Sequence, residues 1–208
     1  MILIAIIALI YYIITMPIKN IYITGNNVVT ENEIIKSTSL YKYPSFILTP
    51  RKQIINDIKS NKYIQSATVS KKLGNIIEIK IKEYKPIAIN TSGNIILENN
   101  KELENNYNLT DIPILINDIT NEKISKNFAK KFSKVSPNIL RQISQIEYSP
   151  VEVDEDRFLL YMNDTNLVYI TLTKIEKLNK YNKIKDKLEG KTGIIYLDSG
   201  NYVELKQA

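Results

Sequence analysis

The chain has 208 residues, 44% of them hydrophobic, enough apolar material for packed cores and too much for a disordered polymer. It has neither Cys nor His, which excludes disulfides, thiolate nucleophiles, Cys/His zinc sites and every triad with an imidazole base. The formal net charge of +6 comes from lysines spread along the whole chain, with Arg only at Arg51, Arg141 and Arg157, so it reads as solvated surface rather than as a nucleic-acid patch.

Residues 1–17 carry no charged side chain and are almost wholly Ile, Leu and Ala up to Ile14, with Tyr11 and Tyr12 near the end. As a helix, about 17 residues span roughly 25 Å, the short limit for crossing a bilayer, and the tyrosines suit a lipid–water interface. A transmembrane helix is therefore expected at 1–17. A cleaved signal peptide would need a basic leading region and a small-x-small site, and neither is visible. A buried core helix would show one polar face, and none is present.

Residues 18–24 predict a strand with Ile21 and Ile23 on one face, followed by a Gly25-Asn26-Asn27 turn. Thr30-Glu31-Asn32-Glu33 has the spacing of a capping box opening a short helix. Thr49 and Pro50 suit the N-cap and first position of a second helix, with Ile54, Ile55 and Ile58 as its buried stripe. Residues 64–72 predict a strand and Leu73-Gly74-Asn75 a turn. Residues 76–84 predict another strand, in which Ile77, Ile79 and Ile81 alternate with Glu78, Lys80 and Lys82. The order β-α-α-β-β over 18–86 needs both helices on one face of a three-stranded sheet.

Beyond Lys85-Pro86 the pattern is mostly strands: 87–90, 95–97, 113–116, 142–148, 158–162, 167–172, 193–197 and 202–205. Helical pattern occupies 122–135. A second capping box, Thr173-Lys174-Ile175-Glu176, opens a helix with Ile175, Leu178, Tyr181, Ile184 and Leu188 on one stripe, and Gly190 suits its left-handed end.

Chemical motifs are weak. Gly190-Lys191-Thr192 looks like the tail of a phosphate-binding loop, but Lys185 stands where that loop needs Gly, and a helix rather than a strand leads in. Asp154-Glu155-Asp156 sits between two strand patterns, as turn residues do, with no further ligand at useful spacing. No paired motif supports a Ser–Lys dyad. A wall-acting enzyme finds no support, and neither catalytic residues nor a cofactor nor a metal is implied.

Four stretches carry a family resemblance. Ile21-Tyr22-Ile23-Thr24-Gly25-Asn26-Asn27-Val28-Val29-Thr30 resembles the opening of an FtsQ-type POTRA domain. Asn61-Lys62-Tyr63-Ile64-Gln65-Ser66-Ala67-Thr68-Val69 resembles its middle strand segment. Lys72-Leu73-Gly74-Asn75-Ile76-Ile77 resembles its basic residue and Pro- or Gly-containing turn. Ile79-Lys80-Ile81-Lys82-Glu83-Tyr84-Lys85-Pro86-Ile87-Ala88 resembles its closing strand. On these residues the chain resembles the FtsQ/DivIB family, with looser likeness at Gly93-Asn94-Ile95-Ile96, Ile112-Pro113-Ile114-Leu115 and 194–203. The resemblance implies an α+β protein: a membrane helix at 1–17, a POTRA domain at 18–86, and a mainly antiparallel β-domain with flanking helices at 87–208. It implies a non-enzymatic, single-pass scaffold of the plasma membrane, its bulk extracytoplasmic, acting at the division septum and helping to control septal wall synthesis. The implied partners are membrane proteins of the FtsL and FtsB/DivIC type, with no nucleic acid. The matching positions for partner binding are Tyr196, Leu197, Asp198, Ser199, Gly200, Asn201, Tyr202 and Val203. A POTRA-bearing envelope transport or assembly factor is the alternative, although such proteins usually continue into a membrane barrel.

Overall fold

The computed structural model describes residues 1–206. The chain divides into two compact units, Met1–Tyr84 and the residues from Lys85 onward.

The first unit begins with helix α1, Ile2–Thr15, none of whose residues is buried. Its 14 residues extend about 21 Å, short of the ~30 Å hydrocarbon layer. No helix among the described residues is long and apolar enough to cross a membrane, which corrects the expected span at 1–17. Pro17 is the physical reason: it cannot donate an amide, and its ring pushes the preceding residue out of the helical region. Met16 is accordingly extended, with φ −52° and ψ 123°.

Strand β1 (Asn20–Thr24) is followed by α2 (Glu31–Lys36), α3 (Arg51–Lys59), β2 (Ile64–Lys72) and β3 (Ile76–Glu83). The sheet order is β1-β3-β2, with β1 parallel and β2 antiparallel to β3. Ile34, Ile54 and Ile58 from the helices and Ile23, Val69, Ile77, Ile79 and Ile81 from the strands are all buried. Each such side chain contributes roughly 1.5–3 kcal/mol of transfer free energy.

Thr30 caps α2, its hydroxyl accepting from Glu33 N (3.2 Å). Thr49 does not cap α3. Pro50 holds the cap position, and the Thr49 hydroxyl turns back to donate to Ser45 O (2.7 Å). The β1–α2 connection is tied down by the end of the parallel neighbour β3: the Glu83 carboxylate accepts from Val28 N (2.8 Å) and Val29 N (2.9 Å). Glu83→Ala strands both amides, so urea denaturation should show the first unit destabilised by about 2–3 kcal/mol.

The second unit is built on one sheet that has nine strands among the described residues. They are β4 (Pro86–Ile89), β5 (Ile95–Leu97), β6 (Glu102–Leu103), β7 (Ile114–Leu115), β8 (Ile143–Tyr148), β9 (Arg157–Met162), β10 (Leu167–Thr171), β11 (Gly193–Tyr196) and β12 (Tyr202–Leu205). They lie in the order β12-β11-β10-β9-β8-β7-β4-β5-β6. The sheet is mainly antiparallel, as expected, but mixed: five of its eight neighbouring pairs are antiparallel, and the β10/β11, β7/β8 and β4/β7 neighbours are parallel. Each parallel neighbour follows a connection long enough to carry the chain back to the starting end of the sheet, and two of those connections hold helices. These are α4 (Glu122–Phe132) with α5 (Pro137–Leu140), and the segment Leu172–Lys180 with α6 (Tyr181–Asp186).

The helices bury Phe128, Phe132, Ile139, Leu178 and Tyr181 in one cluster with Ile146, Phe158, Leu160, Val168, Ile170 and Ile195 of the strands. Phe128, Phe132 and Phe158 meet with ring centroids 4.6–5.8 Å apart, a separation typical of favourable aromatic pairs. The expected capping box at Thr173 does not form. Leu172–Lys180 is a 3₁₀ helix without a side-chain cap; Thr173 N instead donates to Asp156 Oδ2 (2.9 Å), so tertiary partners replace the local ones.

A buried polar network closes this unit. Tyr181 OH donates to Asp164 Oδ1 (2.7 Å), and Asn166 Oδ1 accepts from Gly193 N (2.8 Å). Burial opposes ionisation of Asp164, but hydrogen bonds from Tyr181, Lys185 and Asn166 hold its carboxyl below the usual range. Burial and that same carboxylate push the Tyr181 phenol far up.

Candidate functional site

Among the described residues, β12 is the terminal strand of the sheet, with β11 on one side only. Its pairing decides which backbone groups are free. Lys206 N donates to Thr192 O (2.9 Å), which makes that an antiparallel pair of the bonded kind. Bonded and non-bonded pairs alternate along such a ladder. In the register Gly193↔Leu205, Ile194↔Glu204, Ile195↔Val203 and Tyr196↔Tyr202, Val203 and Leu205 therefore turn their N–H and C=O groups outward. That row is what an added strand requires.

Side chains alternate with the backbone. Val203 packs against the helix-side core. Tyr202 lies on the opposite face, on which a stacked row runs inward from the edge. Tyr202 and Tyr196 have centroids 4.5 Å apart, and Tyr196 and Tyr169 5.4 Å. The Arg157 guanidinium sits 3.8 Å over the Tyr169 ring. Tyr196 OH donates to Glu204 Oε2 (3.3 Å). Partial burial, reinforced by that carboxylate, raises the Tyr196 phenol above its ordinary pKa.

The β11–β12 turn is held from below. Arg157 Nε donates to Asp198 Oδ2 (2.8 Å), with the two side chains 16% and 5% exposed. Lys174 Nζ donates to Asp198 O, and Lys177 Nζ to Asn201 Oδ1 (2.9 Å). Asn201 takes φ +58°, a conformation Asn tolerates better than most residues.

The structure thus separates the eight positions expected from the resemblance. Ser199, Gly200, Asn201 and Tyr202 are exposed, Tyr196 and Val203 half-buried, and Leu197 and Asp198 buried. The Leu197 and Asp198 side chains serve the fold. Leu205, Glu204, Tyr169 and Arg157 join the site from outside the expected set. Leu205 follows Val203 by the two-residue period of a strand, a signal present in the sequence. Arg157 and Tyr169 come from β9 and β10, and only the sheet order brings them near.

The other sequence motifs have structural places. Gly190 takes φ +83° after α6, and Lys191 N bonds back to Leu188 O (2.9 Å), a helix end rather than a phosphate cradle. Among the described residues no group of three Asp, Glu, His or Cys side chains is arranged to hold a metal ion.

Residues 16–84 match the family model described as POTRA domain, FtsQ-type. The cell division protein DivIB of Bacillus subtilis (strain 168) is 34% identical over 194 residues, covering 90% of this chain and 73% of that protein. DivIB of Bacillus anthracis is 31% identical with the same coverage. A solved structure of the major extracytoplasmic domain of the trans isomer of DivIB from Geobacillus stearothermophilus aligns at 24% identity and a TM-score of 0.43, covering 52% of this chain and 96% of that one. The chain belongs to the FtsQ/DivIB family of cell division proteins.

Proposed function

We propose that this protein is a non-enzymatic scaffold of the cell division machinery. It works at the septum, attached to the bilayer through the apolar helix α1, and binds membrane partners of the FtsL and FtsB/DivIC type to help control septal wall synthesis. The family membership supports the cell-division role, and the uncharged, unburied α1 supports attachment.

The partner docks by adding a strand to β12. The observation that carries this reading is the outward row of backbone groups at Val203 and Leu205, at the end of the large sheet. Backbone hydrogen bonds supply affinity, and the Tyr202–Tyr196 stack beside the edge supplies a surface for alternate partner side chains.

The test is Val203→Pro. The outward amide is lost, while the β11 ladder keeps its bonds, because Val203 sits in a non-bonded pair. Binding to a soluble fragment of the FtsB/DivIC-type partner is expected to weaken about tenfold or more, with little change in melting temperature. Unchanged affinity in the folded variant would rule out strand addition at this edge. A fluorescent fusion should form a band at the division site; a uniform envelope signal would count against the scaffold role itself.

A further inference from the structure

The end of the first unit next to α1 is built from three segments fastened to one another. Ser45 Oγ donates to Ile14 O, Phe46 N to Met16 O (2.8 Å) and Ile18 N to Pro44 O (3.0 Å). From the other side, Asn75 Nδ2 donates to Pro17 O (3.0 Å), and Asn75 O accepts from Lys19 N (2.9 Å). The loop of residues 41–48 and the tip of the β2–β3 hairpin therefore both flank the point where the chain leaves the apolar helix.

These flanks expose the wrong side chains for water. Leu73 at the hairpin tip is 97% exposed and Leu48 64%, with Tyr43 and Ile47 also exposed beside them. Scattered exposed hydrophobics need no explanation, but three aliphatics and a tyrosine gathered around one chain exit do. The charge is equally one-sided. Segments 16–22, 37–52 and 70–76 hold Lys19, Lys42, Arg51, Lys52, Lys71 and Lys72, and no Asp or Glu. Of these, Lys72 pairs with Glu78 at 3.4 Å. Lys71 donates to Phe46 O and to Ile47 O, and partial burial, helped by the Arg51 charge, lowers its pKa. Cations crowded in this way gain from an anionic counter-surface.

We infer that this end of the POTRA unit is a second membrane contact, a collar that seats on an anionic lipid surface around the base of α1. Leu48 and Leu73 enter the interfacial layer, Tyr43 lies at headgroup level, and the cations meet lipid phosphates. One short helix would leave the domain free to swing. The collar adds contacts on two sides of the exit and sets the orientation in which the chain leaves the membrane. The inference rests on the reading that α1 inserts into the bilayer.

The chain contains no Trp, so a single introduced Trp reports its own surroundings. Leu48→Trp, Leu73→Trp and, as reference, Lys62→Trp are made in the full chain. Lys62 adjoins the far end of β2, whose nine residues place it about 27 Å from the collar. Each variant is reconstituted into phosphatidylcholine vesicles with or without about one third phosphatidylglycerol, the lipids carrying brominated acyl chains. In the anionic vesicles the fluorescence of Leu48→Trp and of Leu73→Trp should be quenched about threefold more than that of the reference, and adding Lys42→Glu with Lys52→Glu should reduce the difference. Protein that floats with the vesicles yet shows no excess quenching would overturn the collar and leave helix attachment standing. Protein that fails to float would overturn the attachment reading and the collar with it. Quenching indifferent to lipid charge and to the Lys→Glu changes would overturn the anionic surface as the occupant.

Discussion

Replacing Gly25 by alanine is expected to cost the POTRA unit more than about 3 kcal/mol. Gly25 takes φ +87°, and a Cβ added there would stand 2.1 Å from Ile81 O. That carbonyl belongs to β3, the central strand, so relief requires moving the sheet rather than a flexible side chain. Hydrogen exchange should show lost protection in β1 and β3 while β8–β11 keep theirs. Gly93→Ala is the control: φ is +82° but nothing lies within 4 Å of the added atom. It should cost about 1 kcal/mol, the left-handed strain alone. Equal effects from the two substitutions would remove close backbone approach as the reason for glycine at position 25.

The second large effect is expected at Asp198. Its carboxylate lies buried against Arg157, which is itself packed on Tyr169. Asp198→Ala leaves a largely buried guanidinium without its counter-charge, at about 3–5 kcal/mol. Thermal unfolding followed by circular dichroism should register the loss, and hydrogen exchange should place it in β9–β11. Ser199→Ala, one residue on and exposed, removes only a hydroxyl that donates to Asp198 Oδ1 (3.1 Å) and leaves the ion pair in place, so it should cost about 1 kcal/mol or less. The contrast matters for function because both residues belong to the stretch that the family resemblance associates with partner binding. Loss of binding in Asp198→Ala would reflect a collapsed turn, whereas loss in stable Val203→Pro reports the edge itself. A stable Asp198→Ala protein would mean that the ion pair is not what holds the β11–β12 turn.

Much of the POTRA unit was legible because its signals are local. The alternation of Ile77, Ile79 and Ile81 with charged residues specifies a half-buried strand wherever that strand pairs. Thr30 caps from the next turn of chain, and Gly74 marks a bend that few other residues tolerate. β12 was legible for the same reason, with bounds 202–205 as expected. The signals that misled were local ones overruled at a distance. The Thr173 box had the right spacing, but Asp156 reached its amide first. Thr49 looked like a cap, yet its hydroxyl was claimed by Ser45. Two-residue β6 left no periodic trace, since two residues define no period. Helix α1 stopped at Thr15 because Pro17 forces the residue before it out of the helix.

By itself the sequence determined which residues face inward, where the chain turns, the family to which it belongs, and the absence of any thiol or imidazole. It also placed the last strand and most of the positions beside it. Only the tertiary structure decided that β12 is the terminal strand of the sheet among the described residues, that Val203 and Leu205 turn their amides outward, and that Asp198 is consumed by Arg157. The reason is that a strand's inward face is set by side-chain period, a property of neighbours in sequence. Its pairing partner, its register and the direction of its free amides depend on residues many positions away, and these come together only when the sheet closes on its core.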